Sequence, residues 1–85
     1  MKNLDCLVRI CTMYQQQKYP LTELQSRIIT APLPDHLSKD FLKELEEFDN
    51  AIEEILYCKN EEDWEQCSKP VIDRLIHAVR REQQK

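Results

Sequence analysis

The residues best suited to chemistry in this chain are carboxylates, which crowd into its third quarter and the segment that follows. Residues 35–65 hold 12 Asp or Glu against 3 Lys, a net charge of −9, whereas the rest of the chain carries a net charge of +5. Paired carboxylates can act as general acid and base, and a concentrated negative field can attract a basic partner. The candidate site residues are Glu46, Glu47, Asp49, Glu53, Glu54, Tyr57, Glu61, Glu62, Asp63 and Trp64.

An enzyme is the less favoured use of these carboxylates. Carboxylates on a helix surface lack the apolar pocket that raises the pKa of a general acid. A di-metal site in a helical bundle would need Glu-x-x-His motifs, and neither His36 nor His77 follows a Glu by three positions. The chain also has no glycine, which removes the glycine-rich phosphate loops. We therefore expect no catalytic residue, no metal site and no cofactor.

Four cysteines leave thiol chemistry, a disulfide framework or a metal site to be considered. They are Cys6, Cys11, Cys58 and Cys67. None belongs to a Cys-x-x-Cys pair, and the two histidines are not at ligand spacing from them. Cys58 and Cys67 flank acidic runs, which raise a thiol pKa instead of lowering it. We expect free thiols, mostly buried, with a disulfide framework as the alternative.

Hydrophobic spacing predicts an all-α fold, a small antiparallel bundle of four helices whose third helix is the longest. Apolar residues recur at intervals of three and four, which is the period of a helix face packed on a core. The expected core positions of the third helix are Leu37, Phe41, Leu45, Phe48, Ile52 and Ile55. At 85 residues, the chain is expected to form one domain over residues 1–85 with a thin core.

Prolines and polar residues predict where the helices begin and end. The second helix is expected to begin at a Thr22 cap, and the third to begin between residues 34 and 38. Asn60 is the expected cap of the fourth helical region. Pro70 leaves two interpretations open there: a kinked helix, or a new helix capped by Ser68 that tolerates the proline in its first turn.

The predicted core face places Glu46, Glu47, Glu53 and Glu54 together on the outer face of the third helix, with Asp49 nearer the core. Two interpretations of this face remain open. It can be a solvated surface that keeps the protein soluble. It can also be a docking face for a basic partner, because few bases offset like charges that destabilise a helix when they lie one turn apart.

Aromatic and basic residues near these acids pose similar choices. Tyr57 and Trp64 belong either to the core or to an interface, where Trp is a frequent hot spot. Arg74, Arg80 and Arg81 near the C-terminus would suit nucleic acid only as part of a continuous basic surface. Because these arginines share a small body with the acidic segment, we expect no direct binding to nucleic acid.

The sequence also favours a cytoplasmic protein with no membrane partner. No apolar run approaches the roughly 18–20 residues that span a bilayer. The N-terminal segment carries Asp5 and Arg9, unlike the uninterrupted apolar core of a signal peptide. We expect either a monomer or a weak dimer.

Three segments resemble the small, acidic, all-α immunity proteins of bacterial polymorphic-toxin and contact-dependent inhibition systems. They are YPLTEL at 19–24, LPDHL at 33–37 and, above all, FDNAIEEILY at 48–57. The paired-tyrosine segment of the colicin-nuclease immunity proteins is missing, and only Tyr57 is placed to play a similar part. The resemblance implies tight, stoichiometric binding to a cognate toxin domain, often a basic nuclease.

The sequence therefore leads to an expected function and one alternative. The expected function is an immunity protein that neutralises a toxin domain by binding it through the ten candidate residues. The alternative is a small helical adaptor or oligomerisation subunit with no toxin partner, whose acidic face serves only solubility. An exposed apolar stripe on the first or second helix would favour the alternative.

Overall fold

A computed structural model describes residues 4–84 and arranges them as four α-helices. These are α1 (Asp5–Gln15), α2 (Leu21–Thr30), α3 (Lys39–Cys58) and α4 (Trp64–Gln83), with a single 3₁₀ turn at Glu61–Asp63 before α4. The all-α, four-helix prediction is confirmed. The third helix, predicted to be the longest, has 20 residues, and α4 has 20 as well. The body measures 38 × 22 × 20 Å.

One hydrophobic core runs between the four helices and follows the predicted spacing. Its buried members are Leu4, Leu7, Cys11, Leu21, Leu24, Ile28, Phe41, Phe48, Ile52, Ile55, Ile72, Leu75, Ala78 and Val79. Two positions that the spacing assigned to the core, Leu37 and Leu45, are only partly buried and pack against its edge. Every helix contributes to the same cluster, as expected for a single small domain.

Polar contacts fix α4 antiparallel to both α1 and α3. Near the C-terminus of α4, the buried carboxylate of Glu82 accepts hydrogen bonds from the Ser38 amide at 2.8 Å and the Ser38 hydroxyl at 2.7 Å. Near its N-terminus, the Ser68 hydroxyl lies 3.3 Å from the hydroxyl of Tyr14, at the end of α1. These contacts join opposite ends of the neighbouring helices, so the predicted antiparallel arrangement holds for these two pairs.

Ser38 caps α3 and also ties its start to α4. Its hydroxyl oxygen accepts a hydrogen bond from the Phe41 amide at 3.2 Å, as in an N-cap. The same hydroxyl donates to Glu82, whose side chain is only 2% exposed. A buried carboxylate needs such donors, because burying a charged group without hydrogen bonds is costly.

Ser38→Ala is expected to lower the free energy of unfolding by about 1–2 kcal/mol, because it removes a helix cap and a donor to a buried carboxylate. Urea denaturation followed by circular dichroism measures the change. Ser26→Ala, an exposed serine within α2, is the control and should change stability by less than about 0.5 kcal/mol. Equal effects of the two substitutions would show that the Ser38 hydroxyl makes no particular contribution to the free energy of unfolding.

Helix α1 ends in a Schellman motif without glycine. The Lys18 amide donates to the Met13 carbonyl at 3.1 Å and the Gln17 amide donates to the Tyr14 carbonyl at 2.8 Å. This motif requires a left-handed residue, and Gln17 supplies it with a φ of 63°. A residue with a Cβ pays roughly 1 kcal/mol or more to adopt this conformation, and glycine does not.

Gln17→Gly is expected to raise the free energy of unfolding by about 0.5–1 kcal/mol, because it relieves the left-handed strain in the folded state. The matched control is Gln16→Gly. Gln16 has a φ of −86°, so there glycine only adds unfolded-state entropy and should destabilise. Thermal and urea denaturation of both variants measure the effect, and a gain for Gln16→Gly or a loss for Gln17→Gly would contradict the strain argument.

The predicted caps of α2 and of the fourth region are corrected. Helix α2 begins at Leu21 after Pro20, so Thr22 lies inside the helix and does not cap it. Asn60 stands at the N-cap position of the 3₁₀ turn, but its side chain makes no capping hydrogen bond. In α2, Pro20 stands at the N-cap position without a side-chain cap, and its carbonyl accepts hydrogen bonds of 3.1 Å from the Glu23 and Leu24 amides.

Helix α4 is continuous through Pro70, so the interpretation with a new helix capped by Ser68 is wrong. Ser68 is fully buried, and its hydroxyl donates to the Glu65 carbonyl one turn earlier, at 3.2 Å. Pro70 lies on the exposed side of the helix. There the proline costs one backbone hydrogen bond, to the Gln66 carbonyl, which water can satisfy. None of the four helices is long and apolar enough to cross a membrane.

Candidate partner-binding surface

A row of exposed residues follows the outer side of α3. Glu46, Glu53, Glu54 and Tyr57 all face solvent, and we call these four residues the acidic stripe. They lie on one side of the helix because residues three, four and seven apart share a face. Tyr57 is 82% exposed, the highest value among the large hydrophobic residues of the described chain.

Glu47 departs from the predicted outer face. Its carboxylate lies 2.8 Å from the Arg74 guanidinium, across the groove between α3 and α4. Glu44 joins the same arginine through two hydrogen bonds of 2.9 and 3.1 Å. Arg74 therefore clamps two carboxylates of α3, in the bidentate geometry that suits a guanidinium. The Glu47 carboxylate is engaged in this ion pair and is therefore less available to a partner than an unpaired carboxylate.

The Arg74 clamp also changes the proton affinity of its partner. Hydrogen bonding to Arg74 lowers the pKa of the Glu44 carboxyl, an effect that partial burial opposes. A carboxyl whose folded pKa is lowered stabilises the fold above its unfolded pKa, and this stabilisation is lost as the pH falls through the folded pKa.

Arg74→Gln is expected to lower the urea midpoint at pH 7, and the gap to the parent protein should close as the pH falls and Glu44 becomes protonated in both proteins. Urea denaturation across pH 2–8 measures both the gap at pH 7 and its loss at low pH. Arg80→Gln is the control, because it removes the same charge from an exposed site with no ion pair in residues 4–84. A gap that is constant with pH would show that the clamp does not act through the Glu44 carboxyl.

Asp49 faces α2 at the edge of the acidic stripe. Its carboxylate accepts a hydrogen bond of 3.0 Å from the Gln25 amide group, which links the middle of α3 to α2. Asp49 is partly buried, in agreement with its predicted place nearer the core. This hydrogen bond holds Asp49 in place at the edge of the acidic stripe.

The second predicted cluster lies at the end of the bundle where α3 leads into α4. Glu61, Glu62 and Asp63 form the 3₁₀ turn, and all three side chains are exposed. Trp64 begins α4, where its ring packs against the core and its Nε1–H donates to the Lys59 carbonyl at 3.2 Å. Trp64 thus stabilises the 3₁₀ turn that carries the three acidic residues.

The cysteines are free thiols within the described residues, as expected, but most of them are not buried. Only Cys11 lies in the core, where desolvation raises the pKa of its thiol to about 12. Cys6 and Cys67 are partly buried and Cys58 is exposed, which corrects the expectation of mostly buried thiols. Residues 4–84 contain no group of three or more His, Cys, Asp or Glu placed to hold a metal ion.

A groove with a volume of about 440 Å³ lies between α3 and α4. Charged side chains of both signs line it, among them the Arg74 clamp and Arg81. Glu44 and Glu47 already engage Arg74 in this groove, whereas no ion pair within residues 4–84 engages its other charged residues Asp40, Lys43 and Arg81. It separates the acidic stripe from the exposed side of α4.

The chain has no match among known protein families, curated proteins or solved structures.

Sequence reasoning missed three exposed apolar side chains. Ile29, Leu33 and Leu42 are 62%, 41% and 46% exposed. Leu42 follows the helical period of α3 but falls between its core face and its charged face. The available signal was the scarcity of charge in residues 24–34, where Arg27 is the only charged residue.

Proposed function

We propose that the protein is an immunity protein that binds a basic toxin domain, a nuclease, through the acidic stripe. The observation that carries this proposal is that the carboxylates of the stripe have no intramolecular cation. Within residues 4–84, Glu44 and Glu47 pair with Arg74 and Glu23 pairs with Arg27, whereas no ion pair or side-chain hydrogen bond engages the stripe.

Free carboxylates on a rigid helix suit fast and specific association with a basic protein. A surface that carries one sign of charge steers an oppositely charged partner and raises the association rate. The stripe lies on a 20-residue helix whose opposite face is buried, so the backbone that carries its side chains is ordered before binding. Little backbone entropy is then lost when the partner binds.

A nuclease domain is the class of partner that fits this charge. Such a domain binds phosphates through Lys and Arg side chains, and a row of carboxylates presents the same sign of charge as a nucleic-acid backbone. The exposed ring of Tyr57 adds an apolar contact within the stripe, and tyrosine is enriched among the residues that dominate binding energy. Glu61, Glu62 and Asp63 extend the negative surface beyond the helix end.

The double variant Glu46→Lys, Glu53→Lys tests the proposal in a bacterial host that co-expresses the product of the neighbouring gene. The parent chain should restore growth, and the double variant should not, because reversed charges repel the basic groove. Asp35→Lys, Asp73→Lys is the matched control. It makes the same change in net charge at exposed residues outside the stripe and should protect fully.

Binding kinetics on the purified pair add a second readout. The association rate should fall steeply as the salt concentration rises, because screening shortens the range of the electrostatic attraction. Full protection by the stripe variant, or a neighbouring gene that encodes no toxin domain, would overturn the proposed function.

A further inference from the structure

A pocket with a volume of about 320 Å³ lies at the end of the bundle where α1 ends and α4 begins, and we call it the α1–α4 pocket. It is lined by Tyr14 from the last turn of α1, by Gln17, Tyr19 and Pro20 from the connector to α2, and by Glu65 from the first turn of α4. A pocket that combines aromatic rings with a few polar groups is typical of a small-ligand site.

The two tyrosines have their rings, and not their hydroxyls, left for a ligand. The Tyr14 hydroxyl lies 3.3 Å from the Ser68 hydroxyl, and the Tyr19 hydroxyl donates to the Ile10 carbonyl. Because both hydroxyls have partners inside the protein, the positions of the two rings are fixed. Aromatic rings attract cations through the negative charge of their faces.

A guanidinium already lies over one of these two rings. The guanidinium carbon of Arg27 is 4.6 Å from the centroid of the Tyr19 ring, which is within the range of a cation–π contact. Arg27 does not line the pocket, and Glu23 offsets its charge through a salt bridge of 3.0 Å. The Tyr19 ring therefore takes a guanidinium outside the pocket, and its surface within the pocket has no such partner among the lining residues.

Glu65 gives the pocket a negative charge. It is the one charged residue among the described residues that line the pocket, and no ion pair or side-chain hydrogen bond engages it within residues 4–84. Lys69 lies one turn later on α4 and lines a neighbouring cavity, but it makes no ion pair with Glu65. Residues 59–69 hold four acids and two lysines, so the charge around Glu65 favours a cation.

Gln17 lines the pocket from a strained backbone position. Its φ of 63° is left-handed, and a glycine there would relieve the strain but would remove a side chain from the pocket. Residues in such conformations cluster at ligand sites. The side-chain amide oxygen of Gln17 can accept a hydrogen bond from an N–H group. A role in binding therefore accounts for a side chain where the backbone favours glycine.

We propose that the α1–α4 pocket binds a guanidinium group, supplied by an arginine side chain or by a free guanidinium compound. The planar group packs against the tyrosine rings, and its N–H groups donate to the Glu65 carboxylate and to the Gln17 amide oxygen. A guanidinium suits the pocket better than an ammonium does, because it is more weakly hydrated and stacks on aromatic faces. The proposal is independent of the immunity function, since no residue of the acidic stripe lines this pocket.

Titration of the purified chain with Nα-acetylargininamide, followed by amide NMR signals, tests the site. Saturable shifts are expected at Gln17, Tyr19 and Glu65, with a dissociation constant on the order of 1 mM. The citrulline analogue has the same shape without the charge and should bind at least about tenfold more weakly.

Methylguanidine distinguishes the two sources of the guanidinium. An affinity within about threefold of that for Nα-acetylargininamide assigns the pocket to free guanidinium compounds, and a lower one assigns it to an arginine side chain.

Two substitutions test the groups that hold the guanidinium. Glu65→Gln should weaken the binding of Nα-acetylargininamide at least about fivefold, because it removes the opposite charge. Glu62→Gln is the matched control, since it removes the same charge from an exposed residue at the same end of the bundle that does not line the pocket. It should change the dissociation constant by less than about twofold.

Gln17→Gly should weaken binding at least about threefold even though we expect it to stabilise the fold, so a lost contact is separated from a lost structure. Circular dichroism confirms that each variant is folded. Four results would each overturn the proposal: no saturable shift up to about 20 mM Nα-acetylargininamide, equal binding of the citrulline analogue, equal effects of Glu65→Gln and Glu62→Gln, or unchanged binding by Gln17→Gly.

Discussion

The antiparallel packing of α3 on α4 determines which carboxylates of this acidic protein reach solvent unpaired. The two helices bury one face each in a shared core, and their contact is closed at one end by Ser38 and Glu82 and in the middle by Arg74. Arg74 draws Glu44 and Glu47 towards α4. The carboxylates on the far side of α3 lie beyond its reach, so the packing divides one acidic helix into a paired side and a free side.

A chain without glycine must build its helix ends from other residues, and this chain does so at a cost. Gln17 and His36 both take positive φ values, one after α1 and one in the connector before α3. The two positions lie on either side of α2 in the chain. Because each left-handed residue with a Cβ destabilises the fold, the thin core must offset strain as well as conformational entropy.

Local spacing predicted the fold well because helix period and core burial are both local properties. Phe41, Phe48 and Ile52 are buried as their spacing requires. The departures arise where a residue interacts across the sequence: Glu47 meets Arg74, which lies 27 positions away, and Ser68 is buried against Tyr14, 54 positions away. The spacing of residues within one helix cannot reveal such contacts. The predicted outer face of α3 therefore wrongly included Glu47.

The candidate surfaces divide in the same way. The acidic stripe could be predicted from composition and helical phase. Its lack of ion pairs could not, because that depends on the packing, which places Arg74 beside Glu44 and Glu47. The exposure of Ile29, Leu33 and Leu42 was not predicted, although the scarcity of charge in residues 24–34 was a signal for the first two. Each of the three is an ordinary surface residue, since single exposed apolar side chains are normal in proteins.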